Sequence, residues 1–308
     1  QAGFNARIAT FLSVQPGFCE QAAFVELETA TGQPVRIYCF KKLLAEIAAG
    51  RTRFDLIIMN NDLTGGIPDA LRQAQIPIYP SIQAGWHSRH KSCHFRLTND
   101  LIREFAAIVD LDPWFFSCLF ATSGQMDINL EDDRRRLRDI AAGLFQQIDR
   151  KYQEHRIKDK TYLVIKADAG TYGMGVRTIE DPDEILQLNR KSRNKLAVGK
   201  GSQVITQYLL QEGVPTIDNV DQQVSEAVIY QIENNLIGGF YRVHADKGSR
   251  ENLNSKGMTF EKMCPHQPKY GECGVHHDIN IFDIYRILAR VAGIAAHREI
   301  VNLEAHPA

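Results

Sequence analysis

Residues 161–179, TYLVIKADAGTYGMGVRTI, constrain this chain most, because an apolar run, a lysine and a glycine-rich loop follow one another in that order. At a period of two, Tyr162, Val164 and Lys166 share one face and Leu163 and Ile165 the other, so the run reads as a strand ending on a cation. A P-loop needs its lysine after the glycines, at the start of a helix. Here Lys166 precedes them. A dinucleotide-binding turn runs into a helix, whereas Gly173-Met174-Gly175 leads into Val-Arg-Thr-Ile, whose β-branching favours a second strand. The expectation is a hairpin flap. Glycine tolerates close approach and positive φ, so such a flap can lay N–H groups over a polyphosphate, with Lys166 as a fixed charge on the same anion. On the motif alone, an ordinary hairpin with a snorkelling lysine competes with this reading.

The chain has 308 residues, 44% hydrophobic and 24% charged, which suits a folded protein with two or more packed subregions. With 36 Lys+Arg against 37 Asp+Glu the formal charge is −1, so no global field draws it to nucleic acid or membrane phosphates and any anion binding is local. No apolar run is long enough to span a membrane and QAGFNARIAT lacks a signal-peptide layout. A cytoplasmic protein acting on small molecules is expected, without nucleic-acid or membrane partners; a homo-oligomer is left open. Cys19, Cys39, Cys93, Cys118, Cys264 and Cys273 form no CxxC pair and read as reduced thiols. Cys264 and Cys273, near His266, His276 and His277, have the wrong spacing for zinc. Gln1 is not an initiator methionine, and the chain is expected to lack an N-terminal portion.

Two β-rich runs, VRIYCF (35–40) and FDLIIM (54–59), flank KKLLAEIAAG, whose Leu43, Leu44 and Ile47 share a helical face before the stop signal Gly50. That is a strand–helix–strand unit with parallel strands. NNDLTGGIP (60–68) follows at a strand's carboxyl end, where open α/β sheets bind ligands; its turn formers suit a plain surface turn equally well. The short strand IPIYP (76–80) precedes AGWHSRHKSCHF (84–95), dense in cations and aromatics, which reads as a boundary between a lobe at 1–85 and a domain at 86–308. In 131–156, Leu137, Ile140, Leu144, Ile148 and Tyr152 recur at helical spacing, acidic residues fill the first turn, and RRRLR is a solvated face. SQVITQYLL (202–210) reads as a strand and 225–245 as a hairpin. In 283–300, Ile284, Ile287, Leu288 and Val291 make a helical stripe expected to pack in the core.

In order, these pieces resemble an ATP-grasp ligase, an α/β fold turning α+β in its C-terminal part. NNDLTGGIP, AGWHSRHKSCHF, KADAGTYGMGV and YRVHADKGSRENLNSKG together most resemble the proteobacterial glutamate–cysteine ligase family, over essentially the whole chain. The resemblance implies ATP-dependent formation of γ-glutamylcysteine, the first step of glutathione synthesis. The γ-carboxylate of glutamate takes the γ-phosphoryl group, and the amine of cysteine displaces phosphate. It implies that Lys166 and, from the opposite side, Lys91 contact the nucleotide phosphates, and that Gly170, Thr171, Tyr172, Gly173 and Gly175 form the flap within 166–179. Gln207 and the backbone near Tyr208 and Leu210 would read adenine, although many relatives carry glutamate there. Arg242 would hold the transferring phosphoryl group or a substrate carboxylate by a bidentate fork. Asn60, Asn61 and Asp62 would suit an amino acid's ammonium and carboxylate. The family's usual Glu-x-Asn pair for Mg²⁺ has no clean counterpart; Glu226, Glu251, Asn252 and Asn254 are the best oxygen donors, the two asparagines facing one metal if ENLN is extended.

Flap and lysine report on ATP and not on the acceptor amine. Another carboxylate–amine ligase of the same fold, and a nucleotide-binding module without turnover, therefore stand beside glutamate–cysteine ligase as readings of the sequence.

Overall fold

Short β-branched runs broken by glycine, and amphipathic stretches of twenty or more residues, dictate small sheets braced by long helices. The structure, a computed structural model, describes residues 5–11, 14–86, 88–170, 175–199, 204–232, 235–263 and 281–305. It divides into two units, 1–85 and 86–308.

In the first unit, β1 (Ile8–Thr10) pairs in parallel with β3 (Pro34–Cys39), and β2 (Phe24–Glu28) takes the other edge of β3 antiparallel. α1 (Phe40–Ala48) follows, burying Phe40 and Leu43, and Gly50 beyond it has φ +68°, the left-handed turn that ends a helix cheaply only with glycine. After it come β4 (Ile57–Ile58), α2 (Asp69–Arg72) and β5 (Ile78–Tyr79), with β4 parallel to β5. Phe40, Leu63, Ile67 and Leu71 form the core, with the Phe11 ring 4.5 Å from that of Phe40.

Two expectations are corrected here. The strands flanking α1 do not pair: β1 and β2 occupy both edges of β3, so β4 joins β5 in a separate sheet. Nor are all the cysteines reduced, since Cys19 and Cys39 form a disulfide with Cα atoms 5.2 Å apart. The chain turns back before β2, and Cys39 N–H donates to Ala23 O at 2.9 Å, so residues 20 apart in sequence become neighbours. Spacing alone cannot show that. Cys93 and Cys118 are free; Cys264 and Cys273, with their nearby histidines, lie outside the described residues.

In the second unit, α3 (Lys91–Val109) and a 3-10 turn (Pro113–Phe116) lead to β6 (Phe120–Gln125), α4 (Glu131–Glu154), β7 (Leu163–Ala167), β8 (Arg177–Ile179), α5 (Arg190–Ala197) and β9 (Gln207–Glu212). The strands form one antiparallel sheet ordered β6-β9-β7-β8. α4 lays Leu137, Leu144, Ile148 and Tyr152 into a core shared with Leu163, Ile165, Tyr208 and Leu210. Strand period and helix period thus agree on one interior. β7 and β8 pair antiparallel on either side of the glycine loop, as the hairpin expectation requires.

A second antiparallel sheet runs β10 (Asn219–Val220), β11 (Gln223–Ile232), β12 (Asn235–Val243) and β13 (Thr259–Lys262), and α6 (Ile281–Ala305) closes the described chain. The stripe expected on α6 is misplaced: Ile284 and Ile287 are exposed, and the helix buries Ala295 and Glu299 instead. The buried carboxylate is the reason: Glu299 is ion-paired to Arg89, two residues before α3, and lies 3.4 Å from His94 on α3. Among the described residues no helix is long and apolar enough to cross a membrane.

Gly213, at the exit of β9, sits where a Cβ would come within 2.0 Å of the buried Tyr162 ring. Gly213→Ala is expected to destabilise the fold by about 1–3 kcal/mol, the usual cost of overpacking; a urea midpoint equal to that of the parent would contradict this packing.

Candidate active site

Lys166 stands on β7, whose Leu163, Ile165 and Ala167 are buried while Val164 and Lys166 line the half-open face. Its ammonium is hydrogen-bonded to Gln211 Oε1 on β9 and lies 5.2 Å from the centre of the Phe95 ring. Burial lowers the Lys166 pKa, partly opposed by the Cys118 thiol and Asp168. Among the described residues no carboxylate pairs with this cation. A buried charge with a neutral partner is a costly arrangement that an incoming anion relieves.

Lys91, the first residue of α3, converges on the same strand end. Its Nζ donates to the carbonyls of Ala167 at 2.9 Å, Asp168 at 3.3 Å and Gly170 at 2.8 Å. Its backbone N–H donates to Asp168 O at 2.8 Å. Burial first, then repulsion from Lys166, pull the Lys91 pKa down to about 8, against a counter-pull from Asp168. The ammonium has three donors and all three are engaged. In this structure the Lys91 ammonium binds backbone carbonyls at the strand end where phosphate contact is expected.

Asp168, the residue after β7, closes the junction. His90, at the N-cap of α3, makes no side-chain cap bond. The buried Asp168 carboxylate supplies one instead, accepting Ser92 N–H at 2.8 Å and Ser92 Oγ–H at 2.7 Å. His90 Nδ1 lies 3.2 Å from its Oδ2. Burial pushes the Asp168 pKa up, but the bonds from His90 and Ser92 outweigh it and the net shift is downward; the Asp168 bond in turn raises His90. A carboxylate at a helix N-terminus also meets the positive end of the helix dipole. Behind this turn, Arg89 forks onto the buried Glu299 of α6 at 2.9 and 2.7 Å.

Gly170 and Gly175 bracket the loop with φ +87° and +68°, conformations glycine adopts without strain. Thr171, Tyr172 and Gly173 lie outside the described residues. Along β9, Gln207 O accepts Asp168 N–H at 3.0 Å, which ties the hinge strand to the same junction. The backbone of Tyr208–Leu210, expected to read adenine, runs inside the sheet. β9 is paired on both edges, by β6 and β7, and Tyr208 N–H goes to Ser123 Oγ at 2.9 Å. Next along β9, the buried Glu212 accepts Trp114 Nε1–H at 3.1 Å and Leu119 N–H at 2.9 Å, and burial raises its pKa.

Arg242 faces Glu226 across the β11–β12 pair and is ion-paired to it through Nη1, while its Nε is buried without a hydrogen-bond partner among the described residues. Half of the guanidinium fork is thus engaged, while Nε is buried and has no acceptor among the described residues. The side chains expected to hold a metal are engaged by protein partners in this structure. Glu226 is taken by Arg242, and Glu251 by Lys247 Nζ and Gly248 N, each at 2.8 Å. Asn252 Oδ1 accepts Asn254 N–H at 3.0 Å, so ENLN is a turn and not an extended strand, because an asparagine satisfies its own loop two residues on. Asp112, Glu154 and His155 do bring ligand atoms within 4.8 Å of one another. Lys151 Nζ already sits among them, 2.6 Å from Asp112 and 2.9 Å from Glu154. These residues do not fit a Mg²⁺ site.

In the first unit, Asn61 Oδ1 accepts Leu63 N–H at 2.8 Å and Asp62 Oδ1 accepts Thr64 N–H at 3.1 Å, with Asn60 and Asn61 exposed. Sequence reasoning missed Asp168, His90, Ser92 and Gln211. The cation-dense 84–95 segment was the available signal for His90 and Ser92.

A mixed, ATP-grasp-like α/β architecture, with a half-buried lysine on a strand that enters a glycine-bounded loop, defines an ATP-dependent ligase. The model of the family "GshA: Glutamate-cysteine ligase" matches residues 1–300, and the chain belongs to that family. A crystal structure from Methylobacillus flagellatus KT, of a protein provisionally named gamma-glutamylcysteine synthetase, is 32% identical with a TM-score of 0.78, over 99% of this chain and 70% of that one. D-alanyl-alanine synthetase A from Vibrio cholerae O1 biovar eltor is 12% identical with a TM-score of 0.35, over 77% of this chain and 60% of that one, too distant to bear on fold or function. Among curated proteins none matches.

The Asp168–His90 pair has a defined pH window. Asp168, with a lowered folded pKa, contributes stability above its unfolded value of about 3.9 that is lost as pH falls through the folded one; His90, with a raised folded pKa, contributes below about 6.5 and loses it as pH rises through the folded value. Asp168→Asn is expected to cost about 1–2 kcal/mol, most between about pH 4 and 6.5, and to bring the His90 titration seen by NMR back toward that of a free imidazole. A His90 titration unmoved by the substitution would contradict the pairing.

Proposed function

We propose that Lys166, with the loop that Gly170 and Gly175 bracket, receives the phosphates of ATP, and that Arg242 holds the transferring phosphoryl group or the carboxylate it is passed to. The observation that carries this reading is the partly buried Lys166 ammonium, held by the neutral amide of Gln211. A polyphosphate supplies the missing counter-charge. The unpartnered Nε of Arg242 supports the second assignment, since a bidentate acceptor would complete its fork.

The reaction is that of the family, ATP-dependent ligation of glutamate to cysteine. The γ-carboxylate oxygen of glutamate attacks the γ-phosphorus of ATP, the bond to the β-phosphate oxygen breaks and ADP leaves. The cysteine amine then attacks the acyl phosphate carbon, the C–O bond to phosphate breaks, and the nitrogen loses a proton as the amide forms. Negative charge builds on the phosphoryl oxygens in the first step, where fixed donors from Lys166 and Arg242 act without reorganising. Asn60, Asn61 and Asp62 suit recognition of an amino-acid substrate by residue type, a carboxylate for its ammonium and amide N–H groups for its carboxylate. Gln207 and the backbone near Tyr208–Leu210 are the candidates on β9 for contact with the base.

ADP and γ-glutamylcysteine should appear together when the protein is given ATP, Mg²⁺, glutamate and cysteine; preference for a different amine would exclude this acceptor. Lys166→Ala is expected to weaken ATP binding about 10–100-fold, the worth of a charge-assisted contact. Arg242→Ala should lower kcat about 10²–10³-fold, as losing a transition-state donor does. Unchanged kinetics for both would remove the assignment.

A further inference from the structure

Glu299 is a buried carboxylate, 2% exposed, that takes no part in the chemistry above. It lies on α6, 210 residues beyond Arg89, and accepts both arms of that guanidinium, Nε at 2.9 Å and Nη2 at 2.7 Å. His94 Nδ1, on α3, lies 3.4 Å from the same carboxylate. Burial pushes the Glu299 pKa up, but the bonds from His94 and Arg89 outweigh it, so the carboxylate is held below its usual range and the fork stays charged. A buried ion pair adds little net stability over apolar packing of the same volume. What a bidentate fork does fix is direction.

Direction matters here because of what Arg89 precedes. Its guanidinium lies 5.1 Å from the centre of the Trp86 ring, and the Lys91 ammonium lies 5.9 Å from the centre of the same ring. The two cations thus share one indole, each within cation–π reach. Like charges gathered on one ring need a counter-charge, and Glu299 supplies it to Arg89. We propose that Glu299 is a positioning residue of the nucleotide site: by clamping Arg89 it fixes Trp86 and the first turn of α3, and so delivers the Lys91 ammonium to the phosphates of ATP. The proposal rests on the reading that those phosphates are received at the end of β7, where Lys91 Nζ reaches the Ala167 and Gly170 carbonyls at 2.9 and 2.8 Å. Asp168 holds the first turn of α3 from the strand side, through Ser92, and Glu299 holds the segment before it from α6. Lys91 lies between the two anchored residues, Arg89 and Ser92, so the start of its side chain is located from both sides.

The test is a double-mutant cycle in ATP affinity, measured by calorimetry on folded protein, with Glu299→Gln, Lys91→Met and the two combined. Glu299→Gln keeps the shape of the side chain and removes its charge. Lys91→Met is expected to weaken ATP binding about 10–100-fold, as loss of a charge-assisted contact does. Glu299→Gln should weaken it about tenfold, since a small displacement of a contacting group is costly. The double variant should bind within about twofold of Lys91→Met alone, because residues acting through one contact are not additive. The sign separates positioning from field: an uncovered Arg89 charge raises the local positive potential, which by itself would tighten ATP binding. Unchanged or tightened binding in Glu299→Gln, or penalties that multiply in the double variant, overturns the proposal while leaving the nucleotide reading in place. Parent-like ATP binding in Lys91→Met removes that reading at Lys91, and the proposal with it. Should Glu299→Gln not fold, Arg89→Lys takes its place in the cycle, since an ammonium lacks the planar fork that matches both oxygens. Binding weakened about threefold or more, with no further loss in the Lys91→Met background, supports the proposal; parent-like affinity overturns it.

Discussion

The second unit turns on a carboxylate that caps a helix from far along the chain. Asp168 lies 76 residues beyond Ser92, yet its two oxygens take the Ser92 amide and hydroxyl and face His90, and they stay ionised despite burial. Helix N-termini leave orphan N–H groups that a neighbouring Ser, Thr, Asn or Asp usually satisfies. Here the neighbour is a histidine and the cap is imported. The entry of α3 and the exit of β7 are consequently one structural object. Lys91, Lys166, Gly170 and the carbonyl of Gln207 all attach to it within a few bonds.

Electrostatically, the junction separates charges that would otherwise cancel. The nearest acid to the two lysines is Asp168, but its hydrogen-bonding capacity is turned toward His90 and Ser92. Lys91 is shielded by backbone dipoles and Lys166 by an amide. What remains is net positive potential at the strand end in a chain whose formal charge is −1. The positive potential is local, in keeping with the balanced composition.

The sequence made β7, its hairpin partner and α4 legible, because a period of two through 163–167 and a period near 3.6 through 137–152 both survive in the buried faces, although Tyr162, expected beside Val164 and Lys166, is buried. Lys166 was legible for the same reason: its face follows from counting. Asp168 was not, since a cap supplied from 76 residues away leaves no local pattern. α6 misled because a buried Glu299 reads as surface until Arg89 is placed against it. The Cys19–Cys39 bond and the crowding of β3 depend on which edges are already filled, and spacing carries no record of that. ENLN looked extended because alternation was read without the tendency of asparagine to close its own turn.

Consider finally the neighbours Gln211 and Glu212 on β9. They differ by little in shape and wholly in charge, and their alternation sends the amide to Lys166 and the carboxylate to Trp114 and Leu119. Val164 opposes Gln211 and Leu163 opposes Glu212 in the ladder. A slip of one residue would exchange their faces, setting a carboxylate against Lys166 and an amide in the indole pocket. The cation would then be neutralised before any nucleotide arrived. Strand register in this sheet is thus a determinant of charge as well as of packing, since the same slip would turn Tyr208 and Leu210 out of the core.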